Sequence, residues 1–323
     1  MGRLLWLVLG LAGLGLGLEL VRVVLGSNFA TVVPGRVYRS AQLSPTQMRE
    51  AVRRFGIRTV INLRGCCPQE GWYAKEAGTL RELGVAQVDV NFSSSMPPPV
   101  PELHKLVTAL AEVEYPVLIH CRRGADRTSF AAACAALLEP GSTLADGWAQ
   151  MSLQYGHSPV GDVQVLDECL ATYPAWLAEQ GLEHTPERFR SWVQSEYLPL
   201  HCWAEVTLAK GPGELQVGQW TRLEFRVTNR SRRPWRLMRA AHAGVHLRVF
   251  VRDVKTQTFL ATGGSGFFDQ IVPPGGSVEL IVALPPLQHA GSVEVFADMS
   301  DEQMCWFHMV GSPPWTRQME VKR

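Results

Sequence analysis

The sequence predicts an α/β domain, a mostly parallel sheet flanked by helices, then an all-β sandwich, with a hydrophobic anchor ahead of both. Three observations carry this. Helix-like and strand-like segments alternate from about residue 28 to 173, apolar residues recur at every second position after about residue 202, and the run 4–25 is almost wholly apolar. A chain of 323 residues is long enough for two units with separate cores. Hydrophobic residues make up 46% and charged residues 19%, which suits packed domains and excludes a largely disordered chain.

Residues 1–26 form the anchor or signal. Leu4 to Leu18 is an unbroken stretch of 15 apolar or Gly residues, and Glu19 and Arg22 interrupt its continuation to Leu25. Such a stretch falls short of the roughly 20 residues that span a bilayer, whereas 4–25 suffices. A cleavable signal peptide is the rival, but its small-residue cleavage pattern is hard to find here. The reading is a single-pass membrane protein whose orientation is left open, because Arg3 and Arg22 flank the run on both sides.

The first folded domain covers 28–178. Ser44-Pro45-Thr46-Gln47 reads as a helix start, with Ser as N-cap, Pro at N1 and Gln at N3, and Gly56 ends that helix after Phe55. Ile57 to Leu63 is short and β-branched, a strand. A helix from Glu70 to Leu83 and a strand from Val85 to Val90 repeat the unit. After the Pro-rich stretch 96–101, a helix from Glu102 to Val113 leads into the strand Pro116 to His120. The Ala-rich segment Thr128 to Leu138 is helical by propensity and stops at Pro140-Gly141. Further helical stretches fall near 144–155 and 160–173, and the polar segment 179–203 reads as a linker helix. In 204–323, alternating runs such as Leu223, Phe225, Val227 and Val278, Leu280, Val282 are separated by turns such as Pro273-Pro274-Gly275-Gly276, which indicates an antiparallel sandwich.

A formal net charge of +1 gives no basic excess of the kind nucleic-acid binding requires. Seven cysteines show no CxxC pair and no zinc-like spacing with histidine. Most read as small buried hydrophobes, with a Cys202–Cys305 bridge conceivable in the second domain.

The chemistry concentrates in His120-Cys121-Arg122-Arg123-Gly124-Ala125-Asp126-Arg127-Thr128, between a predicted strand and a predicted helix. Backbone N–H groups of such a loop can wrap a phosphate, helped by the positive end of the helix, and the same field favours a thiolate. Arg127 can fork two hydrogen bonds onto phosphate oxygens, Gly124 frees the loop to bend, and Thr128 can donate its hydroxyl to the sulfur. His120 orients the loop rather than reacting. No other cysteine has an Arg six positions on.

At these residues the chain resembles the cysteine-based protein tyrosine and dual-specificity phosphatase superfamily. The resemblance extends to Val33-Pro34-Gly35-Arg36-Val37-Tyr38-Arg39-Ser40-Ala41-Gln42 and to Gly56 through Arg64, which look like its compact bacterial and fungal branch. It implies attack by Cys121 on phosphorus, a phosphocysteine intermediate and hydrolysis without metal or cofactor. The implied substrate is a phosphorylated protein, on tyrosine or serine/threonine, or another phosphate ester. Ser129 departs from the pattern, where many members have Gly. Two candidates stand for the general acid: Asp126, inside the loop, and Asp89, 32 positions before the cysteine (121 − 89) at a strand end. Arg122 and Arg123 suit a polyanion such as a phosphoinositide, or point to solvent. Arg64 lies at the strand edge where parallel sheets bind ligands and is a candidate for positioning substrate.

Residues 204–321 resemble immunoglobulin-like accessory modules, through Val227-Thr228-Asn229-Arg230-Ser231 with Trp235, Val272 to Gly275, and Cys305-Trp306-Phe307. Trp235, Trp306 and Phe307 read as core, and the ligand of this module is open. Against an active phosphatase stand a silent phospho-binding scaffold and a sulfurtransferase; the intact Cys121, Arg127 and Thr128 favour the first.

Overall fold

A hairpin begins the first unit. Strand β1 (Ala30–Val33) turns at Gly35 into β2 (Val37–Ser40), antiparallel to it. Helix α1 (Pro45–Phe55) follows because Ser44 accepts from the Gln47 N–H while the Gln47 side chain accepts from the Ser44 N–H, which satisfies two orphan donors at once. Gly56 stops it in the left-handed conformation. Then come β3 (Thr59–Asn62), α2 (Gly71–Leu83), β4 (Ala86–Asp89), α3 (Val100–Glu112), β5 (Val117–His120) and α4 (Asp126–Leu137). The strands line up as β1-β2-β5-β3-β4, with all pairs except β1–β2 parallel. Register aligns Ser40 and Asn62 with His120, and Asp89 with Asn62. The carboxyl edge of the sheet is therefore one row of named residues, with β5 in its middle. Beyond that edge is where open parallel sheets bind ligands.

After α4 come α5 (Leu144–Trp148), two single 3-10 turns (Leu153–Tyr155 and Gly161–Val163), α6 (Gln164–Gln180) and α7 (Pro186–Ser195). The two helices expected near 144–155 and 160–173 thus become a short helix, two turns and one long helix that runs through Pro174. The expected linker helix is core: Phe189 and Trp192 of α7 are buried against Tyr173 of α6. His104 of α3 also bonds the Val193 carbonyl at 2.8 Å. An amphipathic helix with one aromatic face reads as polar when its residues are averaged rather than sorted by face.

The described residues are 26–323, and the structure, a computed structural model, divides between Tyr197 and Leu198. The apolar run expected to anchor the chain in a membrane lies outside the described residues. Among the described residues no helix is long and apolar enough to cross a membrane. The expected single-pass membrane localisation is therefore unsupported.

The second unit is strand-rich: β6 (Ala204–Lys210), β7 (Leu215–Gln216), β8 (Thr221–Asn229), β9 (Trp235–Leu237), β10 (Val245–Asp253), β11 (Phe259–Ser265), β12 (Gln270–Val272), β13 (Ser277–Leu284), β14 (Gly291–Asp301), β15 (Cys305–Trp306) and β16 (Trp315–Lys322). They form the sheet β11-β10-β14-β16-β7 with β15 on β14, the sheet β13-β8-β6, and the pair β12-β9. Alternate residues such as Leu223, Phe225, Val227, Leu247, Val249 and Val251 are buried, as period-two patterning requires. Trp235 and Phe307 are core, but Trp306 is half-buried and lines an outer cleft of about 470 Å³ with Phe250 and Phe296. The Cys202–Cys305 bridge is not formed; the Cys305 thiol instead donates to Cys202 Sγ at 3.9 Å.

Candidate active site

Cys121 follows β5 directly and α4 begins five residues later, so residues 121–125 form the strand-to-helix loop. Its carbonyls are fastened from outside. Asn28 donates through Nδ2 to the Arg123 carbonyl at 3.2 Å and the Gly124 carbonyl at 3.0 Å. The fully buried Arg39 donates through Nη2 to the same Gly124 carbonyl at 3.1 Å and to Ser129 Oγ at 2.7 Å. Its other nitrogen, Nη1, serves the Gln150 carbonyl and side chain, and Tyr155 stacks against its face at 3.9 Å. A loop whose carbonyls are tied outward leaves its N–H groups for an anion. Gly124 has no substitute here, because its φ is +68° and a Cβ would lie 2.5–2.6 Å from the Ser40 and Ala41 backbone. No side chain caps α4, so its first-turn N–H donors remain for the loop side.

The other expected residues separate clearly. Cys121 is 3% exposed. Arg127 is held by Nη1, which donates to the Leu63 carbonyl at 3.3 Å and the Phe92 carbonyl at 3.1 Å, just past β3 and β4. Thr128 Oγ1 is buried with no hydrogen-bond partner. His120 is buried, with Nε2 3.2 Å from Glu76 Oε1. Glu76 also accepts from Gln42, whose Oε1 in turn accepts from Arg64 at 2.9 Å. Arg122 and Arg123 are exposed, while Ala125 is buried. Arg64 stacks on Trp72 at 3.4 Å. Burial first, then the charges of Arg127 and Arg122, pull its guanidinium below the ordinary value, so three cations converge on this edge.

The two acid candidates have opposite surroundings. Asp89 is saturated by donors: Asn62 at 2.8 Å and Gln87 at 2.9 Å on Oδ1, and Tyr73 at 2.5 Å on Oδ2. That bond to Asp89, more than burial, pushes the Tyr73 phenol up and keeps it a donor. A carboxylate fed by three donors is tied into the sheet edge and has its acceptor sites occupied. Asp126 keeps 26% of its side chain exposed, and its single side-chain partner is His157, 3.0 Å from Oδ1.

The tyrosine phosphatase family model matches residues 24–139. Over those residues the chain is similar to the cysteine-based tyrosine phosphatase superfamily. Solved structures similar to this phosphatase domain include the core catalytic domain of the PP-IP phosphatase SIW14 from S. cerevisiae. It is 21% identical, with 48% of this chain and 93% of that one covered and a TM-score of 0.36. A putative phosphatase from Neisseria meningitidis is 19% identical over 44% and 97% of the two chains, with a TM-score of 0.34. The second unit is similar to a CARDB domain from Pyrococcus furiosus, 16% identical over 37% and 85%, with a TM-score of 0.25. No curated protein matches the chain.

Around the phosphatase loop, sequence reading missed Asn28, Arg39, Glu76, Gln42, His157 and Asp167. Arg39 stood in a stretch already singled out, and a charge among Val37, Tyr38 and Ser40 on a buried strand was the available signal. Ser129 is explained with it, because its hydroxyl is an acceptor for Arg39. For His157 no local signal existed; its partners are 31 and 10 residues away.

Proposed function

We propose that this protein hydrolyses phosphate monoesters through a phosphocysteine, with Cys121 as nucleophile, Arg127 as phosphate clamp and Asp126 as general acid. The observation that carries the reading is the loop itself: Cys121 at the end of the central strand, with the Arg123 and Gly124 carbonyls tied outward by Asn28 and Arg39. In the first half-reaction the Sγ–P bond forms as the P–O bond to the leaving group breaks, and Asp126 gives that oxygen its proton. In the second, water attacks phosphorus, Asp126 takes the water proton, and the sulfur leaves as thiolate with phosphate as product. Thr128, a buried hydroxyl without a partner, supplies a hydrogen bond to the departing sulfur. His120 sits in the Glu76–Gln42–Arg64 chain and orients the loop. Asp89 is a structural carboxylate in this reading.

The substrate is a phosphorylated protein, on tyrosine or serine/threonine. A second reading, a polyanionic phosphate ester such as a phosphoinositide, is favoured by the convergence of Arg64, Arg122 and Arg127. Turnover of an aryl phosphate in EDTA, beside Cys121→Ser, tests the chemistry; vanadate-sensitive activity that disappears in the variant is the expected result. Asp126→Asn should cost about 10²-fold or more on a poor leaving group, and Asp89→Asn much less. Parallel assays on phosphopeptides and phosphoinositides, repeated with Arg64→Ala, decide between substrates. A loss confined to phosphoinositides selects the polyanion. Folded protein that binds phosphate esters without turnover would put the scaffold reading ahead of the phosphatase.

A further inference from the structure

His157 lies between the two single-turn helices, and its side chain is fully buried. Each ring nitrogen meets a carboxylate: Nδ1 is 3.0 Å from Asp126 Oδ1 on α4, and Nε2 is 2.9 Å from Asp167 Oδ2 on α6. A neutral imidazole has one N–H and one lone pair, so it cannot donate to both. Serving both carboxylates requires the imidazolium, or a proton on one of the acids. The charged groups acting on the ring are Asp126 and Asp167. Burial alone would lower the pKa of His157, but its bond to Asp126 and the charge of Asp167 outweigh burial and hold it above the ordinary value.

We propose that His157, backed by Asp167, is a positioning residue for phosphoryl transfer that fixes Asp126 through Oδ1 and stabilises the carboxylate left when Asp126 protonates the leaving group. The inference rests on the reading of Asp126 as general acid. The arrangement divides the labour between two oxygens: Oδ1 is committed to the ring, which leaves Oδ2 of the partly exposed carboxyl for the leaving group. Asp167 holds the second nitrogen, so the imidazole keeps its orientation and its proton on the Asp126 side. The family match ends at residue 139, so both His157 and Asp167 stand outside it.

Leaving-group dependence separates this role from a structural one. Full-length wild type, Asp126→Asn, His157→Gln and Asp167→Asn are assayed on aryl phosphates whose phenols range from acidic to basic. Removing help to a general acid costs little when the departing phenolate is stable and more as it becomes basic. His157→Gln should therefore lose about tenfold more kcat on phenyl phosphate than on a nitrophenyl phosphate, with KM little changed. Combining it with Asp126→Asn should add almost nothing to Asp126→Asn alone. Asp167→Asn, which keeps the ring, should show a milder slope and move the alkaline fall of kcat to lower pH; it carries the test if His157→Gln does not fold. Equal losses on every leaving group, or full additivity with Asp126→Asn, would overturn the proposal while sparing the general acid. No leaving-group dependence in Asp126→Asn removes the acid assignment and this inference with it. Activity that survives Cys121→Ser removes the phosphatase reading beneath both.

Discussion

At the scale of single residues, the site depends on where buried charges find acceptors. Arg39 is fully buried beneath the loop, and two of its acceptors, Gly124 carbonyl and Ser129 Oγ, belong to the loop and the helix it starts. A guanidinium in that position cannot shed its charge, so each acceptor lost is felt in full. Ser129→Ala removes the shorter of those bonds, at 2.7 Å, and leaves an N–H without that acceptor. The expected cost is about 1–3 kcal/mol in urea unfolding. Because Asn28 and Arg39 still hold the Gly124 carbonyl, kcat should stay within a few-fold of wild type. A variant as stable as wild type would show that Arg39 finds another acceptor at no cost. Ser129 was the one departure from the superfamily pattern noticed in the loop, and its reason is an arginine 90 positions earlier in the chain.

At the scale of elements, legibility followed the range of the interactions. Helix α1 was readable to the residue because its start and stop are set by Ser44, Gln47 and Gly56, all within or beside it. The loop was readable because its chemistry sits in nine consecutive residues, 120–128. The stretch 152–163 was not, since two glycines in the left-handed conformation, Gly156 and Gly161, break what averages to a helical pattern. Nor could spacing separate Asp89 from Asp126. What distinguishes them is the set of donors that Asn62, Gln87 and Tyr73 bring to Asp89. The segment 152–163 also gives a pH prediction. His157 ties it to α4 and α6, and the folded pKa is raised, so the imidazolium binds its proton more tightly in the folded state. The stability this adds is fully present below the unfolded value of about 6.5 and is lost as pH rises through the folded value. Urea midpoints measured upward from about pH 6 should fall for wild type relative to His157→Gln. Parallel curves for the two proteins would mean that the ring titrates alike folded and unfolded.

At the scale of the whole molecule, the question is where the catalytic unit ends. Composition placed the end near residue 178, because 179–203 is polar on average. The structure places it after Tyr197, because Phe189, Trp192, Val193 and Tyr197 are all buried, and Tyr197 donates to the Pro98 carbonyl at 2.8 Å. Every side chain named in the site falls between Asn28 and Asp167, so the second unit supplies none of them. Two truncations turn this difference into an experiment. A chain of residues 28–197 keeps α7 and should fold, with kcat/KM on a small aryl phosphate close to that of the full chain. Ending at 178 removes Phe189 and Trp192 from a core in which Tyr173 touches both, at ring-centroid distances of 5.0 and 5.1 Å. Losing one large buried aromatic costs about 3–5 kcal/mol, and a domain has only about 5–15 kcal/mol in total. The 28–178 chain should therefore be unfolded or aggregated at room temperature, by circular dichroism and gel filtration. If it instead folds and turns over substrate normally, α7 is dispensable and the boundary read from composition is the functional one. If 28–197 folds but loses activity on a small ester, the strand-rich unit contributes to catalysis in a way that none of its named residues explains.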